Sequence, residues 1–438
     1  MKQGEPAMRQ KMKQGKPAMR LRILSGVLVS ALAVTACGSS TDADSTGTTS
    51  QPESESSQSE PVTITYSYWD QNFTPYVEEV IAAFNEIEPN ITVEIQVVPF
   101  DEYWNKMQAA AAGGEVPDVL WMNVPNYPTY AANGTIANLD DRIASDGIDM
   151  SKYPVNSYVG LADGQHTMPN NFDAMGLWYN TELFDEAGLD YPDPSWTWDD
   201  LKAAAETLTS DGVYGFVAHI EEYMGWWNFI YQNGASVVSA DGATVGFDNE
   251  NGCSAIDFYT SFVREGLSPD GPTLASSDDP TAIFLGGRAA MMILGSWMIA
   301  PMSTEDGFNV TALPAGSVAT SMTHNMSNAM SGNTEHADAA WKFLKFLSSE
   351  EGITIQAKNG NNIPDYEGVE QVWLDAYPEL NLDEVYTQVG NQSDWPPNSN
   401  EYQQAMHEVW RDTYNGNLPW EDLCANAAAA GNAALAGN

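Results

Sequence analysis

From Pro61 onward the chain alternates between two periodicities. Val62-Thr63-Ile64-Thr65-Tyr66 places apolar or β-branched residues at every second position, which predicts a half-buried strand. Pro75 then opens a helix whose Val77, Val80, Ile81 and Phe84 share one face, and Pro89-Asn90 ends it before a second alternating strand, Ile91 to Val97. Tyr103 to Ala112 reads as another helix, stopped by Gly113-Gly114, and Asp118-Val119-Leu120-Trp121-Met122 as a buried strand. After about residue 173 the same grammar resumes with Gly176-Leu177-Trp178-Tyr179, a helix from Asp199 to Leu208 and a longer one around Ala255 to Arg264. Strands alternating with helices predict an α/β fold with crossover connections. Two such units follow in series with no break in composition, so they are expected to be lobes that share chain crossovers. A chain of 438 residues is long enough for two cores.

The N-terminus has a different logic. Its first 22 residues are basic and Ile23 to Val34 are apolar, a run too short to span a bilayer and suited to the core of a signal peptide. MKQGEPAMRQK is followed by the near-duplicate MKQGKPAMRLR, so either Met1 or Met12 serves as the start. Val34-Thr35-Ala36-Cys37 resembles a bacterial lipobox, which implies diacylglyceryl transfer to the Cys37 sulfur and cleavage before it. The alternative is an ordinary cleaved signal with an incidental cysteine. Each buried methylene of a lipid contributes about 0.8 kcal/mol, so several acyl chains anchor firmly where one is marginal. Residues 38–60, rich in Ser, Thr and acid, predict a disordered tether.

Charge narrows the ligand. The residues up to Cys37 hold seven Lys/Arg and one Glu, so the remainder keeps 10 basic and 59 acidic residues, a formal charge of about −49. Such a surface repels phosphate backbones and excludes nucleic acid as a partner. With so few cations to clamp a carboxylate or phosphate, a neutral or cationic ligand is favoured. Once Cys37 is assigned to lipid, Cys253 and Cys424 remain as either a disulfide closing about 170 residues or two free thiols. The 14 Trp, 19 Tyr and 14 Phe supply large cores and leave aromatics over for a cleft.

From residue 61 to the C-terminus the chain resembles the extracellular solute-binding proteins of carbohydrate ABC importers, the maltose-binding-protein-like family. The landmarks are Ala83-Phe84 through Pro89-Asn90-Ile91-Thr92-Val93, Ala110 through Gly113-Gly114 to Pro117-Asp118-Val119, and Met168-Pro169 leading to Trp178-Tyr179-Asn180. Trp196 to Leu201, Ala290 to Trp297 and Ala339 to Leu344 follow in family order. Most of these are structural: Gly113-Gly114 ends a helix, Thr197 to Asp200 form an N-cap, and the aromatics of Ala339 to Phe346 are core at helical spacing. The resemblance implies a periplasmic-binding-protein-like α/β fold, with two lobes joined by a multi-crossover hinge. Residues 1–36 are then the signal peptide and 37–60 the tether. The N-terminal lobe comprises 61–172 and 314–347, and the C-terminal lobe 173–313 and 348–438.

Sugars offer axial C–H faces to aromatic rings and hydroxyls to acids and amides. The residues that the resemblance places at strand ends facing the cleft are Tyr68, Trp69, Asp70 and Asn72, then Asn123, Asn126 and Tyr127. Asp173, with Phe172 beside it, stands where the family presents an acid to sugar hydroxyls. Trp297 matches a stacking aromatic, and one of Trp226 and Trp227 another. Asn361, Trp395 and Tyr402 are C-terminal candidates.

The implied mechanism is hinge closure over a neutral oligosaccharide, which is then handed to two ABC permease subunits and an ATPase in trans, with no cofactor. No phosphate-binding G-x-x-x-x-G-K loop occurs in the chain itself. The expected state is a monomer held at the outer face of the cytoplasmic membrane of a Gram-positive bacterium by its lipid alone. An exported glycoside hydrolase with a carboxylate pair is the first rival. A binding protein for a peptide, polyamine or metal is the second. A peptide carboxylate would need one of the scarce arginines, and the five histidines show no metal-ligand spacing.

Overall fold

The computed structural model describes residues 60–155, 158, 161–210, 212–276, 280–358, 360, 362–388, 393–394, 396 and 400–436. The apolar leader, Cys37, the acidic tether as far as Ser59, Asn361 and Trp395 lie outside them.

Strand β1 (Val62–Tyr68) buries Ile64, Tyr66 and Tyr68, the alternate positions of its pattern. Helix α1 (Thr74–Ile87) carries Pro75 in its first turn, where a missing N–H costs nothing, and buries Val77, Val80 and Phe84. Strand β2 (Ile91–Val97), helix α2 (Phe100–Gly113) and strand β3 (Val119–Asn123) complete a parallel unit, with β1 paired to β2 on one side and β3 on the other. Gly114 ends α2 at a φ of 72°, the left-handed conformation that only glycine adopts without strain.

Strand β4 (Thr167–Asn180) is followed by helices α3 (Trp198–Leu208), α4 (Trp226–Gln232) and α5 (Glu250–Arg264) and by strands β5 (Met291–Gly295), β6 (Phe308–Thr311) and β7 (Met322–Met330). The Thr197 hydroxyl accepts the Asp200 N–H and the Asp200 carboxylate accepts the Thr197 N–H, a complete capping box at the start of α3. Helices α6 (Ala337–Leu347) and α7 (Glu350–Ala357), the short strand β8 (Ile363–Pro364), and helices α8 (Asn400–Tyr414) and α9 (Leu423–Leu435) close the chain. The Ala339–Phe346 stretch packs as core.

The strand order is β2-β1-β3-β7-β4-β5. Strand β4 explains how two lobes share it: Thr167–Ala174 pairs antiparallel with β7, and Met175–Tyr179 pairs antiparallel with β5. One buried strand thus runs out of the first sheet and into the second, placing a crossing at 174/175, beside the expected 172/173. The expected boundary at 347/348 moves further. Helix α7 packs on α1 and α6, and β8 pairs with Asn171 and Phe172 of β4, so 350–364 belongs with the first sheet. The C-terminal helices pack together, and α9 packs against α5, in the second. Among the described residues no helix is long and apolar enough to cross a membrane.

Cys253 of α5 and Cys424 of α9 are disulfide-bonded, with Cα atoms 5.4 Å apart. The bond ties the terminal helix to its lobe across 171 residues. The double variant Cys253→Ser/Cys424→Ser is expected to lose about 2–4 kcal/mol in urea unfolding; an unchanged midpoint would show that packing alone holds α9.

Asp365, just past β8, is fully buried. Its Oδ1 accepts the Val155 N–H at 2.8 Å, and Oδ2 meets no donor among the described residues. Burial pushes its carboxyl up to about 7, against a smaller opposing effect of the Val155 N–H. The folded value lies above the unfolded one, so the ionised form opposes folding. The penalty is absent at acid pH, grows from the ordinary carboxylate range to about 7, and is constant above. Asp365→Asn is therefore expected to raise the melting temperature at pH 8 and to change it little at pH 4. An equal shift at both would trace the effect to packing.

Candidate functional site

The parallel strands β1 and β3 end beside one another, and ligand sites of α/β sheets form outside such carboxyl ends. Past β1 the Asp70 carboxylate accepts the Asn72 N–H at 2.8 Å and turns the chain sharply. Trp69 is thereby half-buried with its ring edge-on to Trp121 at 4.8 Å and to Tyr103 at 5.2 Å. It lies nearly parallel to His324 at 6.2 Å. Burial lowers the His324 imidazole to about 4, so near neutral pH it contributes a flat uncharged surface.

His324 on β7 pairs in register with Asp173 on β4. Asp173 is 1% exposed, and its Oδ1 accepts both the Ser296 hydroxyl at 2.6 Å and the Asn362 amide N–H at 2.8 Å. No described residue donates to its Oδ2. Burial pushes this carboxyl up to about 7, opposed by the Ser296 and Asn362 hydrogen bonds and assisted by the nearby Asp70 charge. Trp297, just past β5, stands 6.2 Å from Tyr223 and 6.4 Å from His324. Trp69, Asp70, Asn72, Asp173, Tyr223, Trp297 and His324 line one cavity of about 440 Å³.

A second cavity of about 1050 Å³ shares Phe100, Tyr223, Met224 and Thr281 with the first, so the two are chambers of one cleft. The first lobe contributes Trp104 and Asn123 to it, and the second contributes the loop 219–224 and the α8 side chains of Asn400, Gln403, His407 and Arg411. Glu222 is fully buried here; its Oε2 accepts the Gln403 amide N–H at 3.1 Å, and its Oε1 lies 3.2 Å from His407 Nδ1. Burial alone would lower His407, but the Glu222 hydrogen bond and the charges of Glu222 and Glu221 outweigh it and raise the imidazole. Glu221, Glu222 and His407 bring donor atoms within 4.8 Å of one another, a cluster that no sequence spacing announced. Protein donors already occupy both Glu222 oxygens.

The remaining sequence candidates divide. Asn123 accepts the Asn126 side-chain N–H at 2.8 Å, and Asn126 in turn accepts the Asn400 N–H at 2.8 Å, which joins the end of β3 to α8. Tyr68, Tyr127, Phe172 and Tyr402 are at most 1% exposed and pack in the core instead of lining either chamber. Strand alternation is the reason for two of them: Tyr68 follows Ile64 and Tyr66 inward while the chain turns at Trp69, and Phe172 points away from the face of its neighbour Asp173. The expectation that Trp226 or Trp227 reaches the cleft is not met. Both start α4, where Trp226 stacks on Trp410 at 4.5 Å and meets Phe247 edge-on. The aromatic that does reach the cavity is Tyr223, three residues earlier. Sequence reasoning also missed His324, Asn362, Trp104, Glu222, Gln403 and His407; only Phe100 to Trp104, just past the end of β2, had a position that could have drawn notice.

Residues 70–354 match the model of the bacterial extracellular solute-binding protein family. The chain belongs to that family. Members bind substrates and are not enzymes, so this solute-binding protein has a cleft built for capture. A binding-protein relative in Brucella abortus is 26% identical over 352 residues, covering 77% of this chain and 80% of its own. The multiple sugar-binding protein of Streptococcus mutans is 23% identical over 313 residues, covering 66% and 71%. Among solved structures, an ABC substrate-binding protein of Listeria monocytogenes in complex with cycloalternan superposes with a TM-score of 0.78 at 25% identity, over 86% of this chain and all of that one. The fold is that of sugar-binding ABC solute-binding proteins.

Proposed function

We propose that this solute-binding protein captures an oligosaccharide without anionic groups by closing its two lobes over the cleft, and delivers it to an ABC permease. The observation that carries the reading is the smaller chamber. Trp69, Tyr223 and Trp297 line it with aromatic rings of the kind that stack on sugar C–H groups, and Asp173 sits among them with Oδ2 left to accept a hydroxyl. Neither of the charged side chains in that chamber, Asp70 and Asp173, is a cation, which disfavours a carboxylate or phosphate seated among these rings; the arginine of the cleft, Arg411, lines the larger chamber. Both lobes contribute to the walls, so a bound ligand would hold them together and favour the closed form.

The lipobox-like Val34-Thr35-Ala36-Cys37 supports a lipid anchor at the outer face of the cytoplasmic membrane, an arrangement that suits a Gram-positive envelope. The monomeric receptor would then meet two permease subunits and an ATPase encoded elsewhere. A thermal-shift screen with neutral mono- and oligosaccharides tests the ligand class, with amino acids, a polyamine and a dipeptide as controls. An oligosaccharide at 1,000 times its dissociation constant is expected to stabilise the protein by about 4 kcal/mol and to be recovered unchanged. Stabilisation by a peptide or polyamine alone would overturn the ligand class.

A further inference from the structure

We propose that Glu222, Gln403 and His407 form a distal sugar subsite, which makes the protein a receptor for oligosaccharides of three or more rings; this rests on the sugar-receptor reading above. The chambers are unequal in volume and in chemistry. Trp69, Asp173 and Trp297 all belong to the 440 Å³ chamber, so a one- or two-ring ligand seated on them leaves the 1050 Å³ chamber unfilled.

The larger chamber also holds an ordered polar array. A sugar ring beyond Trp69 and Trp297 needs donors and acceptors fixed before it arrives, and fixing them takes a second layer of hydrogen bonds. Glu222 supplies that layer from a fully buried position in the wall. It engages the amide nitrogen of Gln403 at 3.1 Å and Nδ1 of His407 at 3.2 Å. Gln403 Oε1 and His407 Nε2 are what remain, and no described residue hydrogen-bonds to either. Gln403 Oε1 is an acceptor; because His407 Nδ1 holds the proton that Glu222 accepts, Nε2 accepts when the imidazole is neutral and donates when it is protonated. Asn123 lines the same chamber from the first lobe, so a ring placed there would touch polar groups of both lobes.

The test is calorimetric titration of the protein with malto-, isomalto-, cello- and xylo-oligosaccharide ladders of one to six rings. In a ladder that binds, affinity is expected to rise at least tenfold between the two-ring and four-ring members. Glu222→Gln and His407→Phe are each expected to remove most of that gain, with a larger loss for four rings than for two. Affinity that levels off at one or two rings overturns the distal subsite and leaves the sugar receptor standing. Equal losses at both lengths overturn it too, by giving the pair a structural role. No binding by any ladder overturns both readings. The length dependence is read on the unmodified protein, so a variant that fails to fold does not remove the test.

Discussion

Gly295→Ala is expected to weaken sugar binding about as much as Trp297→Ala, by one to two orders of magnitude, although alanine adds a single carbon outside the cavity. Gly295 has an ordinary φ of −80°, so its backbone does not require glycine. What requires it is the Trp297 ring, which folds back across it. A Cβ there would lie 1.9 Å from Cζ3 and 2.2 Å from Cε3 of the indole, well inside any tolerable contact. The indole must shift from its place, and the stacking face it holds there, worth roughly 2–3 kcal/mol, is displaced with it. The decisive measurement is the double variant. If both substitutions act by removing the same ring, Gly295→Ala/Trp297→Ala binds no worse than either alone, and the two effects fail to add. Additive losses would mean that Gly295 serves the site by another route, and wild-type affinity in Gly295→Ala would remove Trp297 from the site.

The same locality explains what could be read from the chain and what could not. Strands β1 and β2 and helices α1, α2 and α3 announce themselves by an apolar face or a chemical boundary, Pro75 and the Thr197 capping box at a start and Gly114 at an end, and the fully buried β3 by its apolar run. Strand β7 has no such face. Its nine residues, MTHNMSNAM, are all buried, and some of its polar side chains find partners far away in sequence, as when the Tyr66 hydroxyl donates to Asn328 across 262 positions. No periodicity marks it, and His324, at the centre of the aromatic chamber, went unread with it. Trp69, Asp173 and Trp297 were legible because family landmarks flank them. Tyr223 and His407 were not, since a loop and a C-terminal helix meet only when the second lobe has folded. The pair Trp226 and Trp227 shows the reverse error: residue type suggested a cleft, and the helix register put both rings in the core.

Asp173→Asn is expected to stabilise the empty protein and disable it together. The substitution keeps the oxygen that accepts from Ser296 and Asn362, and replaces the cavity-facing oxygen with an amide nitrogen. Burial has pushed the carboxyl up to about 7, above its unfolded value, so the charge opposes folding. That penalty is absent well below the ordinary carboxylate range, builds as pH rises to about 7 and is complete above it; a shift of this size corresponds to roughly 4 kcal/mol. Thermal unfolding should therefore place the variant clearly above wild type at pH 8 and level with it at pH 4. Sugar affinity should move the other way, because a hydrogen bond to a charged acceptor is worth roughly 1.5–3 kcal/mol and the amide cannot accept at that position. Loss of binding without the pH-dependent gain in stability would mean that Asp173 is well solvated in the empty cleft. A gain in stability with binding intact would mean that the ligand never meets Oδ2. Only both together identify a carboxylate kept at a cost to the fold because the ligand requires it.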